Sequence, residues 1–201
     1  MTKASITADA ALERLVEGNA RFVRGEARFA TMQTDRVADL AKGQKPYATI
    51  LGCSDSRVAP ELLFDAGLGE LFIIRVAGNV VSPEVMGSLQ YAGVKLATPL
   101  FVVLGHEHCG AVEAALDAKL RGARYRSRIE RLLATIVPGL RGIDPTLPRD
   151  EQLQQGVEAN VRWSLQQIRE TPEAQATAAE GKRKLVGAIY EIATGRVRFL
   201  R

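Results

Sequence analysis

The sequence predicts a single α/β domain: a mostly parallel β-sheet flanked by helices on both faces, with an N-terminal helical arm and a late antiparallel edge strand. Three observations lead there. Short, predominantly apolar runs of strand length stand at residues 47–51, 71–76 and 99–104, which is how strands buried on both faces read. A stretch with helical periodicity separates the second run from the third, and strand, helix, strand is the signature of a right-handed parallel crossover. Finally, 201 residues, 46% of them hydrophobic and 25% charged, suffice for one substantial core but hardly for two.

Over residues 9–23, Leu12, Leu15, Val16, Ala20 and Val23 recur at helical spacing while Glu13, Arg14, Glu17 and Arg21 fall on other faces. This predicts an amphipathic helix within an arm over residues 1–43, ahead of a core over 44–201. Strands follow at 47–51 and 71–76. A helix over 83–97 is carried by Val85, Leu89, Ala92 and Leu96, with Pro83 suited to its first turn. PLFVVL at 99–104 is the third strand. Further helices are expected over 111–120 and 157–170, the latter stopped by Thr171-Pro172. The Pro- and Gly-rich VPGLRGIDPTLPRD (137–150) reads as a surface connection. Residues 184–192 form a late strand, Thr194-Gly195 a turn and RVRFL a short return strand.

A formal charge of +4 is a mild basic excess that names no partner. The densest patch, RGARYRSRIER, gathers Arg121, Arg124, Arg126, Arg128 and Arg131 against Glu130. With no recognisable binding module around it, it reads as a solvated helix face, and no nucleic-acid partner is expected. No run approaches the roughly 18 apolar residues of a membrane span, and MTKASITADA lacks the apolar stretch of a signal peptide. A soluble, cytoplasmic protein without a membrane partner is expected. Cys53 and Cys109 are the two cysteines; in such a chain they are more often reduced than bridged.

Two segments place metal-capable residues just after apolar runs: CSDSR at 53–57 and HEHCG at 106–110. In open parallel sheets ligands bind outside the carboxyl ends of the strands. His106 and Cys109, three residues apart, can converge on one ion, and Cys53 can reach it from a neighbouring strand. Taken singly, Cys53 reads as a small buried hydrophobe and His106 as a hydrogen-bonded structural histidine. Yet both cysteines and both histidines of the chain fall in these two segments, which packing does not explain. Imidazole and thiolate suit zinc, and three such ligands leave a fourth position for water or for Asp55. Asp55 and Arg57 stand two apart, a spacing that lets a guanidinium hold a carboxylate through two bonds.

These residues resemble the β-class carbonic anhydrases, whose signature is C-x-D-x-R (Cys53, Asp55, Arg57) followed by H-x-x-C (His106, Cys109). The resemblance extends to GNARFVRG, AKGQKP, GELFIIRVAGN and VGAIYEIATGRV. It implies one Zn2+ per chain on Cys53, His106 and Cys109, with Asp55 and Arg57 as the catalytic dyad. It also implies that Gln44 hydrogen-bonds substrate while Phe72 and Tyr91 line an apolar pocket at a dimer interface; by periodicity alone both aromatics read as core. The implied reaction is the reversible hydration of carbon dioxide to bicarbonate and a proton by zinc-bound hydroxide, in a homodimer or homotetramer. The family has a closed form in which the aspartate, here Asp55, is a fourth ligand. A tryptophan that serves a second bicarbonate site in some bacterial members is replaced here by Ile50, and His108 reads as a solvated loop residue. The rivals are a hydrolase of carbon disulfide or carbonyl sulfide on the same scaffold, and an inactive zinc-binding scaffold.

Overall fold

Local chemistry starts the first helix, α1 (Ala8–Val23): Thr7 Oγ1 accepts the backbone N–H of Ala10 and so satisfies one of the orphan donors of the first turn. Asp9 in that turn and Arg21 in the last complement the helix dipole. The inner face carries Ala11 and Leu15, both fully buried, and truncating Leu15 to alanine would cost about 2–5 kcal/mol. The computed structural model describes residues 6–28, 38 and 40–201; the rest of the expected N-terminal arm lies outside the described residues.

Among these residues five strands form one sheet in the order β2-β1-β3-β4-β5: β1 (Ala48–Gly52), β2 (Leu71–Arg75), β3 (Leu100–His106), β4 (Lys184–Tyr190) and β5 (Val197–Phe199). All pairings are parallel except β4 with β5. Because β2 lies on one side of β1 and β3 on the other, the strand order reverses between β1 and β3. That switch point opens a crevice at the carboxyl ends of the two strands, the place where doubly wound sheets bind ligands.

Side-chain alternation along the strands builds two cores. Ile50, Val102 and Leu104 face α1 and α2 (Pro60–Leu63), while Leu51 and Val103 face the other layer. That layer comprises α3 (Pro83–Val94), α4 (Gly110–Arg121), α5 (Arg128–Ile136) and α6 (Arg149–Arg169). α6 lies directly on the sheet backbone, and glycine is what permits it: a Cβ on Gly105 would stand 2.5 Å from Val161 Cγ2, and one on Gly187 2.9 Å from Leu165 Cδ1.

The differences from expectation have identifiable causes. α6 begins at Arg149, well before residue 157, because a polar residue occupies a core position: Gln152 is buried, donates to the carbonyls of Pro145 and Leu147 and accepts from Arg121. Hydrophobic periodicity is blind to a buried amide whose bonds are all satisfied. The expected surface connection over 137–150 contains a 3-10 turn, Val137–Leu140, whose Leu140 is fully buried. Thr171-Pro172 both ends α6 and starts α7 (Pro172–Ala179), with the Thr171 hydroxyl accepting the N–H of Ala174. The arginine-rich stretch is not one helix face. It spans the end of α4, a bend with Gly122 and Ser127 at φ +68° and +66°, and the start of α5. No helix among the described residues is long and apolar enough to cross a membrane.

Candidate metal centre

Gly52, the last residue of β1, is in register with Leu104 of β3, so Cys53 leaves the sheet at the switch point. β3 continues two residues further, and His106 is its final residue, opposite Tyr190 of β4. It is thus on the strand rather than in the loop beyond it. Cys109 occupies the N-cap position of α4. The strand therefore aims the imidazole while the helix start aims the thiol, and the ligand atoms of Cys53, His106 and Cys109 lie within 4.8 Å of one another. All three residues are buried.

The imidazole shows what the cluster suits. His106 Nδ1 is 2.8 Å from the carbonyl oxygen of Glu107, an acceptor that assigns the proton to Nδ1 and leaves the Nε2 lone pair free. Nε2 is buried with no hydrogen-bond partner, an expensive arrangement for a polar atom unless something else binds it. Two sulfurs and an imidazole nitrogen are the donor set that soft and borderline cations, zinc foremost, prefer. The residues present fit a metal ion.

The two thiols interact strongly. The nearness of Cys109 is the main influence lowering the Cys53 thiol, against burial and with help from the backbone of Gly78 and Asp55. The nearness of Cys53, together with burial, pushes the Cys109 thiol up, although the amides of Val112 and Ala111 at the start of α4 oppose it. A metal ion binds thiolates, so it would displace any proton that the pair holds. Gly78, whose N–H lies 3.3 Å from Cys53 Sγ, sits at φ +69°. A Cβ there would also lie 2.8 Å from Ile136 Cδ1, so this position requires glycine.

Beside the donors stands a locked carboxylate. Arg57 donates to both oxygens of Asp55, Nε at 2.9 Å and Nη2 at 2.7 Å, and its backbone N–H adds a third bond of 2.9 Å. These bonds hold the Asp55 carboxyl far below the usual carboxylate range. Arg57 Nη2 also reaches the His108 carbonyl at 3.4 Å, linking the two segments. His108 itself is exposed, at φ +52°. Arg75, the last residue of β2, donates to the carbonyls of Cys53 (2.9 Å) and Asp55 (2.6 Å). Sequence reading missed it, and the available signal was a cation closing an otherwise apolar strand run.

A sequence model of the carbonic anhydrase family matches residues 48–197. The chain belongs to this family. The carbonic anhydrase of Mycolicibacterium smegmatis is 43% identical over 189 residues, covering 94% of this chain and 91% of that protein. Carbonic anhydrase 2 of Mycobacterium tuberculosis is 42% identical, covering 93% of this chain and 90% of that protein. Among solved structures, the β-carbonic anhydrase CcaA superimposes with a TM-score of 0.76 at 28% identity, over 94% of this chain and 91% of that one. Fold and sequence agree on a β-carbonic anhydrase.

Not every residue expected at the carbonic anhydrase site gathers around these donors. Phe72 of β2 is in register with Thr49, four residues before Cys53, about 13 Å back along the strand at roughly 3.3 Å per residue. Phe72 pairs with Tyr91 of α3, ring centroids 6.1 Å apart, and Tyr91 is 49% exposed. Gln44 is exposed in the segment leading to β1. Ile50 is fully buried in the core beneath α1.

Proposed function

We propose that Cys53, His106 and Cys109 hold one zinc ion and that the chain catalyses the reversible hydration of carbon dioxide to bicarbonate and a proton. One observation carries the reading: three buried soft donors, one of them an imidazole nitrogen with no other partner, converge at the crevice next to a carboxylate that an arginine immobilises. Zinc bound there supplies the Lewis acidity that makes a water acidic enough, with a pKa of about 7, to act as the nucleophile near neutral pH.

The chain's own residues then orient and discriminate. Asp55 is ionised and can only accept, so it would accept a hydrogen bond from the attacking oxygen and turn that oxygen's lone pair toward the carbon of carbon dioxide. Arg57 keeps Asp55 in that role. With both carboxylate oxygens tied to the guanidinium, Asp55 stays off the metal position, whereas loss of that pair frees it to become a fourth ligand and close the site. Two thiolates donate more charge than imidazoles would, so activity is expected to rise between pH 7 and pH 9.

We assign Gln44, Phe72 and Tyr91 to the substrate pocket of a partner subunit in a homodimer or homotetramer, which accounts for their distance from this chain's own donors. In support, β2 is the outer strand of the sheet, and Leu68, Tyr91 and Val94 expose apolar surface at 57%, 49% and 67%. The two free thiols suit a reducing compartment, and we assign the protein to the cytoplasm. The test is metal analysis and stopped-flow carbon dioxide hydration on the same preparation. One zinc per chain with rapid hydration is expected. Protein that holds zinc but leaves carbon dioxide unhydrated at pH 8.5 overturns the reaction.

A further inference from the structure

The middle of α6 carries two polar side chains on a face that otherwise packs Val157, Val161 and Leu165 into the core. Asn160 and Ser164, one helical turn apart, are both buried, Asn160 at 1% exposure and Ser164 at 0%. A buried amide and hydroxyl are costly unless bonded, and both bonds go to one place. Asn160 Nδ2 donates to the Gly78 carbonyl at 2.8 Å, and Ser164 Oγ donates to the Asn79 carbonyl at 3.1 Å. These consecutive carbonyls belong to the Ala77–Asn79 turn, in which Gly78 and Asn79 both take positive φ, +69° and +44°.

Gly78 is therefore held at both ends: its carbonyl by Asn160, its N–H against the sulfur of Cys53 at 3.3 Å. An amide N–H aimed at a thiolate fixes the direction of the sulfur lone pairs and withdraws charge from them, as outer-shell partners of metal ligands do. We infer that Asn160 and Ser164 are positioning residues of the metal centre, acting through the Ala77–Asn79 turn to hold the Gly78 amide on Cys53 and thereby setting how firmly the centre keeps its metal and how strongly that sulfur donates. The inference rests on the assignment of Cys53, His106 and Cys109 as metal ligands.

Cobalt(II) is the probe, because thiolate-to-cobalt charge transfer reports on the sulfur directly. Wild type, Asn160→Ala, Asn160→Leu, Ser164→Ala and Leu165→Ala are loaded with cobalt and compared by absorption spectrum and by the rate at which a chelator strips the metal. Asn160→Leu nearly keeps the shape of the side chain but removes the donor. Leu165→Ala loosens the same helix where it packs on Gly187 and removes neither side-chain bond to the turn. The two Asn160 variants are expected to shift the charge-transfer band to lower energy and to release metal about 10-fold faster, with a smaller change of the same sign in Ser164→Ala. Leu165→Ala should lower the melting temperature and leave band and release unchanged. If the Asn160 variants do not fold, Ser164→Ala decides. Asn160 or Ser164 variants with wild-type band and release, or a Leu165→Ala that moves both equally, overturn the positioning role. Wild-type protein that takes up no cobalt overturns the metal-ligand assignment instead.

Discussion

His106 and Cys109 are delivered by regular secondary structure, as the end of β3 and the start of α4, whereas Cys53 and Asp55 sit on a loop tied down by Arg75, by a backbone amide and by the loop's own Arg57. The first segment is positioned by ladder bonds and a helix terminus, and its two donors are 0% and 1% exposed. The second depends on Arg75 from β2, the Gly78 amide and Arg57; the Arg57 side chain is 50% exposed. The difference teaches a division of labour. The rigid segment fixes the positions of His106 and Cys109, and the tethered one carries the carboxylate. A strand end cannot be rearranged without breaking the sheet, while a guanidinium pair near solvent exchanges with water at small cost.

The comparison can be broken or sharpened in order of effect. His106→Ala should abolish metal retention and hydration together, because two sulfurs alone do not hold the ion; metal analysis showing zinc still bound would remove His106 from the ligand set. Asp55→Asn should keep zinc and lower kcat about 100-fold, the scale of losing a correctly oriented nucleophile, so an Asn variant of undiminished turnover would end the role assigned to the carboxylate. Arg75→Met should weaken zinc affinity about 10-fold by slackening the tethered segment. Competition with a zinc chelator measures this, and an affinity equal to wild type would show that the loop holds itself.

The smallest effect concerns pH. Arg57 lowers the Asp55 carboxyl, so the pair contributes stability that is present above the ordinary carboxyl pKa of about 4 and is lost as pH falls toward the depressed value. The stability gap between wild type and Arg57→Met, read from denaturant unfolding, should thus stay level from pH 8 to pH 5 and narrow only in stronger acid. A gap that already closes between pH 7 and pH 5 would point to a different titrating group.

Where apolar patterning and chain order decide, the sequence was legible. α1, β1, β2, β3 and α4 stand within two residues of expectation, the Asp55–Arg57 pair, local in sequence, forms, and Cys53, His106 and Cys109 come together. The start of α6 was not legible because Gln152 satisfies its polar groups in the core, and neither was α5, whose apolar face alternates with arginines. Arg75, Asn160 and Ser164 escaped for a related reason. Each acts through a bond to a backbone carbonyl of a distant segment, and carbonyls leave no mark in residue identity.

By itself, then, the sequence determined the donor set and its chemistry: two thiols, an imidazole and a carboxylate two residues from an arginine are matters of residue type and short spacing. The tertiary structure alone decided that the strand order reverses between β1 and β3. That reversal brings Cys53 within 4.8 Å of donors more than fifty residues away, and the crossing of α6 over Gly105 and Gly187 puts Asn160 against the turn that meets its sulfur. The physical reason is that a site of this kind is assembled from strand ends, whose proximity is set by sheet order and helix packing and is encoded nowhere locally.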